Sequence, residues 1–184
     1  MMWRTPAHTG GTQLDIAEIL TDAFGRVRDA THRVLDGASE SVLTYRPDRD
    51  ANTIAWLVWH LTRIQDDHIA DVAGVEQRWR ADGWYERFAL PFAPGATGYG
   101  HRSDEVAEVV VDGSQLRDYF DAVHAETIRY VAARRPEDLD RIVDERWDPP
   151  VSLGVRLVSV INDNLEHAGQ AAYVRGLAER HGVS

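Results

Sequence analysis

Apolar residues recur at helical spacing in four long stretches of this chain, and that period restricts it to helix-on-helix architectures. In the first, Thr12-Gln13-Leu14-Asp15 reads as a capping box opening a helix. Ile16, Leu20, Ala23, Val27, Ala30 and Val34 keep its stripe to about Asp36, with Gly37 as the stop. The second stretch, Thr53 to Ala73, carries Ile54, Leu57, Val58, Leu61, Ile64, Ile69 and Val72, with Gly74 just past its end. The third follows Asp112-Gly113-Ser114, carries the stripe Leu116, Tyr119, Phe120, Val123, Thr127, Tyr130 and Val131, and ends before Pro136. Ser152 caps the fourth, which runs to about Arg180. No persuasive strand alternation, internal repeat or second-domain boundary is visible. Residues 1–184 are therefore expected to form one all-α four-helix bundle.

Between these stretches, residues 38–52 read as a loop, and Ser103-Asp104-Glu105 opens a short helix to about Val110. Residues 136–150 connect the third helix to the fourth. Residues 75–102 are the least regular part, rich in aromatic, Gly and Pro residues. Aromatics at this density need an apolar partner, so the segment is expected to pack over one end of the bundle and line a pocket.

Composition removes several function classes. A net charge of −10 argues against nucleic-acid binding. No apolar run approaches the roughly 20 residues needed to span a bilayer, and the N-terminus lacks a secretion signal, so a cytoplasmic protein is expected. The absence of cysteine excludes disulfides, thiolate metal sites and a cysteine nucleophile. All 20 basic Lys+Arg residues are Arg, which points to a GC-rich source genome.

The chemistry centres on the fourth helix. Asp163 and His167, four residues apart, share one face with Arg156, Gln170 and Val174, beside an apolar arc. Such a pair is either a half-solvated Asp–His contact or two ligands awaiting a third. His60 stands at the edge of the second helix's arc in the same manner. Facing helices in a bundle lie about 8–10 Å apart, so His60, Asp163 and His167 could meet as a His₂-carboxylate set. Three protein ligands leave an open position, the pattern of a catalytic divalent site suited to Zn²⁺, Ni²⁺ or Fe²⁺. Gln170, Asp67 and Asn164 are candidates to orient the ligands. His68 is about 12 Å along the helix from His60 and is expected to be a core or partly buried histidine. His32 is expected to face solvent, while His124, at the edge of the third stripe, is a further candidate for the site.

The segments NTIAWLVWHLTRIQDDHIADVAG and DNLEHAGQAAYVRGL resemble the DinB-like superfamily, which includes the N-terminal domains of mycothiol-dependent maleylpyruvate isomerases. LPFAPGATGYGHRSDEVAEV further resembles an uncharacterised actinobacterial branch. The similarity covers nearly the whole chain. It implies a four-helix bundle of DinB-like type with a long aromatic, Gly/Pro-rich connection between the second and third long helices. It also implies a metal site built from His60 and the spaced pair Asp163 and His167. Many relatives carry His at the first position of the pair, and the isomerase branch carries a carboxylate, usually Glu. Asp163 is one methylene shorter, which implies weaker ligation or ligation through a water.

Three functions remain in view. The first is a metal-dependent transferase or isomerase acting with an external low-molecular-weight thiol, for which mycothiol would be natural in an actinobacterial source. Here Arg63, Arg156 or Arg175 would hold substrate carboxylates. The second is a binding module for a metal or small ligand. The third is metal-dependent hydrolysis, with Asp67 or His124 as base. Exposed Trp3, Trp59 or Trp79 are the candidate seeds of a homodimer.

Overall fold

The computed structural model describes residues 15–184. Its helices are α1 (Ile16–Leu35), α2 (Glu40–Leu43), α3 (Ile54–Ala73), α4 (Arg78–Ala81), α5 (Trp84–Phe88), α6 (Ser103–Ala107), α7 (Gly113–Val131) and α8 (Leu153–Arg180). A 3₁₀ turn at Pro136–Asp140 and a small antiparallel pair, β1 (Ile142–Asp144) with β2 (Val151–Ser152), link α7 to α8. The pair had no periodic signature because three residues and two are too few to show one. Local chemistry sets the long helix ends. Asp15 and Glu18 form a reciprocal capping box on α1, while the expected start at Thr12 lies outside the described residues. Thr53, Asp112 and Ser152 cap α3, α7 and α8 through their side chains. Gly74 closes α3 in the left-handed conformation at φ 67°.

The four long helices make a ring in which α3 and α1 each pack on both α7 and α8. Their directions follow from which ends share a core. One cluster joins the starts of α3 (Ile54, Leu57) and α7 (Leu116, Tyr119) to the ends of α1 (Val34, Leu35) and α8 (Val174, Ala178). A second joins the starts of α1 (Leu20, Phe24) and α8 (Leu153, Leu157) to the ends of α3 (Ile69, Val72) and α7 (Val131). The order is therefore up, down, down, up. Consecutive helices α3 and α7 run the same way, so the chain must return along the bundle between them. That return is the long aromatic segment.

Burial holds the return in place. Trp79, Trp84, Phe88 and Leu90 sink into the first cluster around Tyr119, as the aromatic density led one to expect. A buried polar knot secures its near end. Asp66, 3% exposed, accepts from the amides of Arg78 and Trp79 and from the Tyr119 hydroxyl. Arg63, fully buried, lies 3.6 Å from that carboxylate and donates to Ala96 O, Tyr119 and Gln77. Trp59 and Trp79 are 1% and 2% exposed, which removes both as dimer seeds; Trp3 lies outside the described residues. Among the described residues no helix is long and apolar enough to cross a membrane.

Candidate metal centre

The packing of α3 on α8 brings His60, Asp163 and His167 together, each offering one ligand atom within 4.8 Å of the others. The two imidazoles meet edge to face at 4.8 Å between centroids. Each histidine is oriented through its Nδ1. His60 Nδ1 lies 2.6 Å from the carbonyl of Thr97, a group that only accepts, so this nitrogen carries the proton and Nε2 presents its lone pair. His167 Nδ1 pairs with Gln170 Oε1 at 3.0 Å, again leaving Nε2 for a ligand. The Trp56 indole stacks on His60 at 4.7 Å and 11° and fixes the ring plane.

The aromatic return supplies the Thr97 carbonyl, and Gly98 is what allows it so close. At φ +95° this residue occupies backbone space that side chains avoid, and a Cβ there would meet His60 Nδ1 at 2.8 Å. Asp163 completes the set. Its Oδ2 is buried without a hydrogen-bond partner, and Oδ1 lies 3.6 Å from His167 Nε2. A carboxylate oxygen without a partner beside two imidazole lone pairs fits a cation. Metal bonds of about 2.1 Å would require the three groups to draw together from this spacing.

The electrostatics divide the histidines. Burial lowers the proton affinity of His60, which favours the neutral imidazole that ligates metal. The Asp163 carboxylate raises that of His167, so a cation would take the place of a proton there.

The other nominated residues lie in different settings. Gln170 is the partner of His167. Asp67 accepts from Gln77 Nε2 at 2.7 Å and lies 3.8 Å from His68. Asn164 is buried and donates to Gln65 Oε1, on the core side of α8. The Arg63 guanidinium is wholly occupied in the buried knot, out of reach of a substrate. Arg156 donates to Asp144 at 2.9 Å and to the half-buried His68 ring. Arg175 donates to the carbonyls of Arg33, Val34 and Asp36 at the end of α1. His32 is part-buried, its Nε2 2.7 Å from Asp121, contrary to the solvent-facing expectation. His124 stacks on Phe120 in the same α1–α7 region and does not reach the centre.

His101 enters instead. The Trp56 indole N–H donates to its Nδ1 at 3.3 Å, and it packs against Trp59 and Phe92. It stands in the aperiodic return, where helical spacing could not reveal it. The nearby clustering of aromatics was the only signal.

The DinB superfamily sequence profile matches residues 23–171. A conserved protein from Enterococcus faecalis has a similar crystal structure, with a TM-score of 0.82 and 30% identity, over 89% of this chain and 96% of that one. No curated protein matches the chain. The match extends from α1 into α8 and takes in all three residues of the centre; the chain belongs to the DinB superfamily.

Proposed function

We propose that this protein is a divalent-metal-dependent enzyme that uses a low-molecular-weight thiol, of the mycothiol kind, for S-transfer or isomerisation. His60, Asp163 and His167 would hold the ion, with Zn or Ni favoured and Fe the next choice. The observation that carries the reading is the partnerless Asp163 Oδ2 beside two Nε2 lone pairs. A three-ligand set leaves a position open, and the ion would supply there the acidity that ionises a thiol or a water. The chain itself has no cysteine, so a sulfur nucleophile must come from outside, which fits a cytoplasmic thiol pool. Thr97 and Gln170 hold the two imidazoles in the ligating tautomer, and Trp56 shields one side of the centre from water. Arg156, beyond Asp163 on the same helix face, is held by Asp144 and His68, so orienting an anionic substrate group would require it to exchange those partners.

A second reading, metal-dependent hydrolysis, is favoured by His101. It places an imidazole on the Trp56 ring that stacks on His60, while His124 lies in the α1–α7 region. One experiment separates the two. The metal-loaded protein is incubated with a thiol and an unsaturated electrophile, and both thiol consumption and ester cleavage are followed. Thiol consumption that is metal-dependent and at least about 100-fold lower in His60→Ala supports S-transfer. Full thiol turnover in His60→Ala, or ester cleavage alone, overturns it.

A further inference from the structure

A groove of about 450 Å³ opens along the seam between α3 and α8, against the metal centre. Its floor is apolar, built from Leu57 and Val174, which are 1% and 7% exposed. Around that floor stand Asp48, Asn52, Gln170 and Tyr173. The Asn52 amide, the Tyr173 hydroxyl and the Gln170 Nε2 make no hydrogen bond to another described residue. Asp48 accepts one bond, from the Asp50 amide, through Oδ1. Four polar side chains with spare capacity around an apolar floor describe a ligand subsite.

The charge of the lining states which ligand. Asp48 is its only charged group, and no arginine lines the groove. Every basic Lys or Arg residue of the chain is an arginine, and an anion-binding subsite would place one here. Tyr173, 66% exposed, offers a free aromatic face on the same wall as the Gln170 amide. A carboxylate and an open aromatic face together are the surroundings an organic ammonium prefers. Gln170 joins the two sites, because its Oε1 pairs with His167 Nδ1 while its Nε2 remains available.

We propose that this groove binds the amine-bearing, amphipathic end of a small molecule, with the ammonium between Asp48 and Tyr173 and its apolar body over Leu57 and Val174. The affinity of the groove stands on its own lining. That its occupant is the substrate of the metal centre rests on the function proposed above.

Three probes of one shape test the assignment: benzylamine, benzyl alcohol and benzoate. Each is titrated by calorimetry and saturation-transfer NMR into the full chain, metal-loaded and chelator-treated. Benzylamine is expected to bind about 5–10-fold more tightly than the alcohol, the factor equivalent to roughly 1 kcal/mol of ion and cation–π attraction at an exposed site, with benzoate weakest. Asp48→Asn should abolish the preference and leave the alcohol unchanged; Tyr173→Ala should weaken the amine most. Equal binding of the three probes, tighter binding of benzoate, or an unchanged preference in Asp48→Asn overturns the proposal. Amine binding lost in His60→Ala also overturns it, since the amine would then have been on the metal. Amine binding retained in a protein without thiol or esterase activity leaves the groove intact and refutes only its link to catalysis.

Discussion

Replacing Gly98 by alanine loads the metal centre at its tightest point. The added Cβ meets His60 Nδ1 at 2.8 Å, Trp59 Cζ3 at 3.0 Å and Trp56 Cζ2 at 3.2 Å. Neither tryptophan has room to retreat, being 6% exposed or less. Forcing a side chain into a packed interior costs about 1–3 kcal/mol. The φ of +95° adds backbone strain of about 1–3 kcal/mol for any residue with a Cβ. The sum, roughly 2–6 kcal/mol, corresponds in a chain of this size to a Tm lower by about 4–24 °C. The only relief open to the backbone is to back away from α3, which breaks the bond between Thr97 O and His60 Nδ1. Loss of an orienting partner lowers metal affinity by about 10–100-fold. Gly95→Ala is the control, since its Cβ would meet nothing within 4 Å and its φ is not positive. It should lie within about 0.5 kcal/mol of the parent, and both variants share the entropy gain of the glycine replacement. Scanning calorimetry and zinc titration read both quantities. A Gly98→Ala protein indistinguishable from Gly95→Ala in Tm and zinc affinity would refute the reasoning.

Two further perturbations test the frame around the centre. Asp66→Ala leaves the fully buried Arg63 without its counter-charge and frees two amides, so chemical denaturation should report a loss of about 3–5 kcal/mol; less than 1 kcal/mol would show the knot to be incidental. In the metal-free protein, burial holds His68 and His124 below the ordinary histidine value of 6.5. The unfolded chain therefore binds more protons, and the stability these two contribute is complete above about pH 6.5 and lost as pH falls through their folded values. His167 is shifted the other way, and its contribution is present below that pH and lost above its raised value. The part assigned to His124 is read by difference: between pH 7.5 and 5.5 the denaturation midpoint should fall less in His124→Gln than in the parent, and equal changes in the two proteins contradict this.

The periodic parts of the fold were legible in the sequence, because each long helix carries its own stripe and its own cap. The stripes placed His60, Asp163 and His167 at the borders of apolar arcs and left a plain Asp–His contact open. The resemblance to the DinB-like superfamily singled them out as one set, and the packing of α3 on α8 brings them together. Gly98, Thr97 and His101 were not legible. Their contribution depends on where an aperiodic segment crosses α3, and that path is set by distant burial of Trp79, Trp84 and Phe88. Arg63 read as a candidate for holding a substrate carboxylate because helical spacing reports only the face of α3 toward the other long helices. The aromatic return covers the opposite face and buries it too. His32 diverged from expectation because Asp121 on α7 draws it into the α1–α7 seam, and the candidate His124 stays in that seam on Phe120.

The central claim is that His60, Asp163 and His167 together hold one divalent ion. Elemental analysis of the purified, untagged protein, beside His60→Ala, tests it most directly. About one equivalent of Zn or Ni per chain, lost in a His60→Ala protein that remains helical, is the result predicted. No metal in either protein, even after incubation with divalent ions, would contradict it and leave a bundle that binds small ligands without a metal.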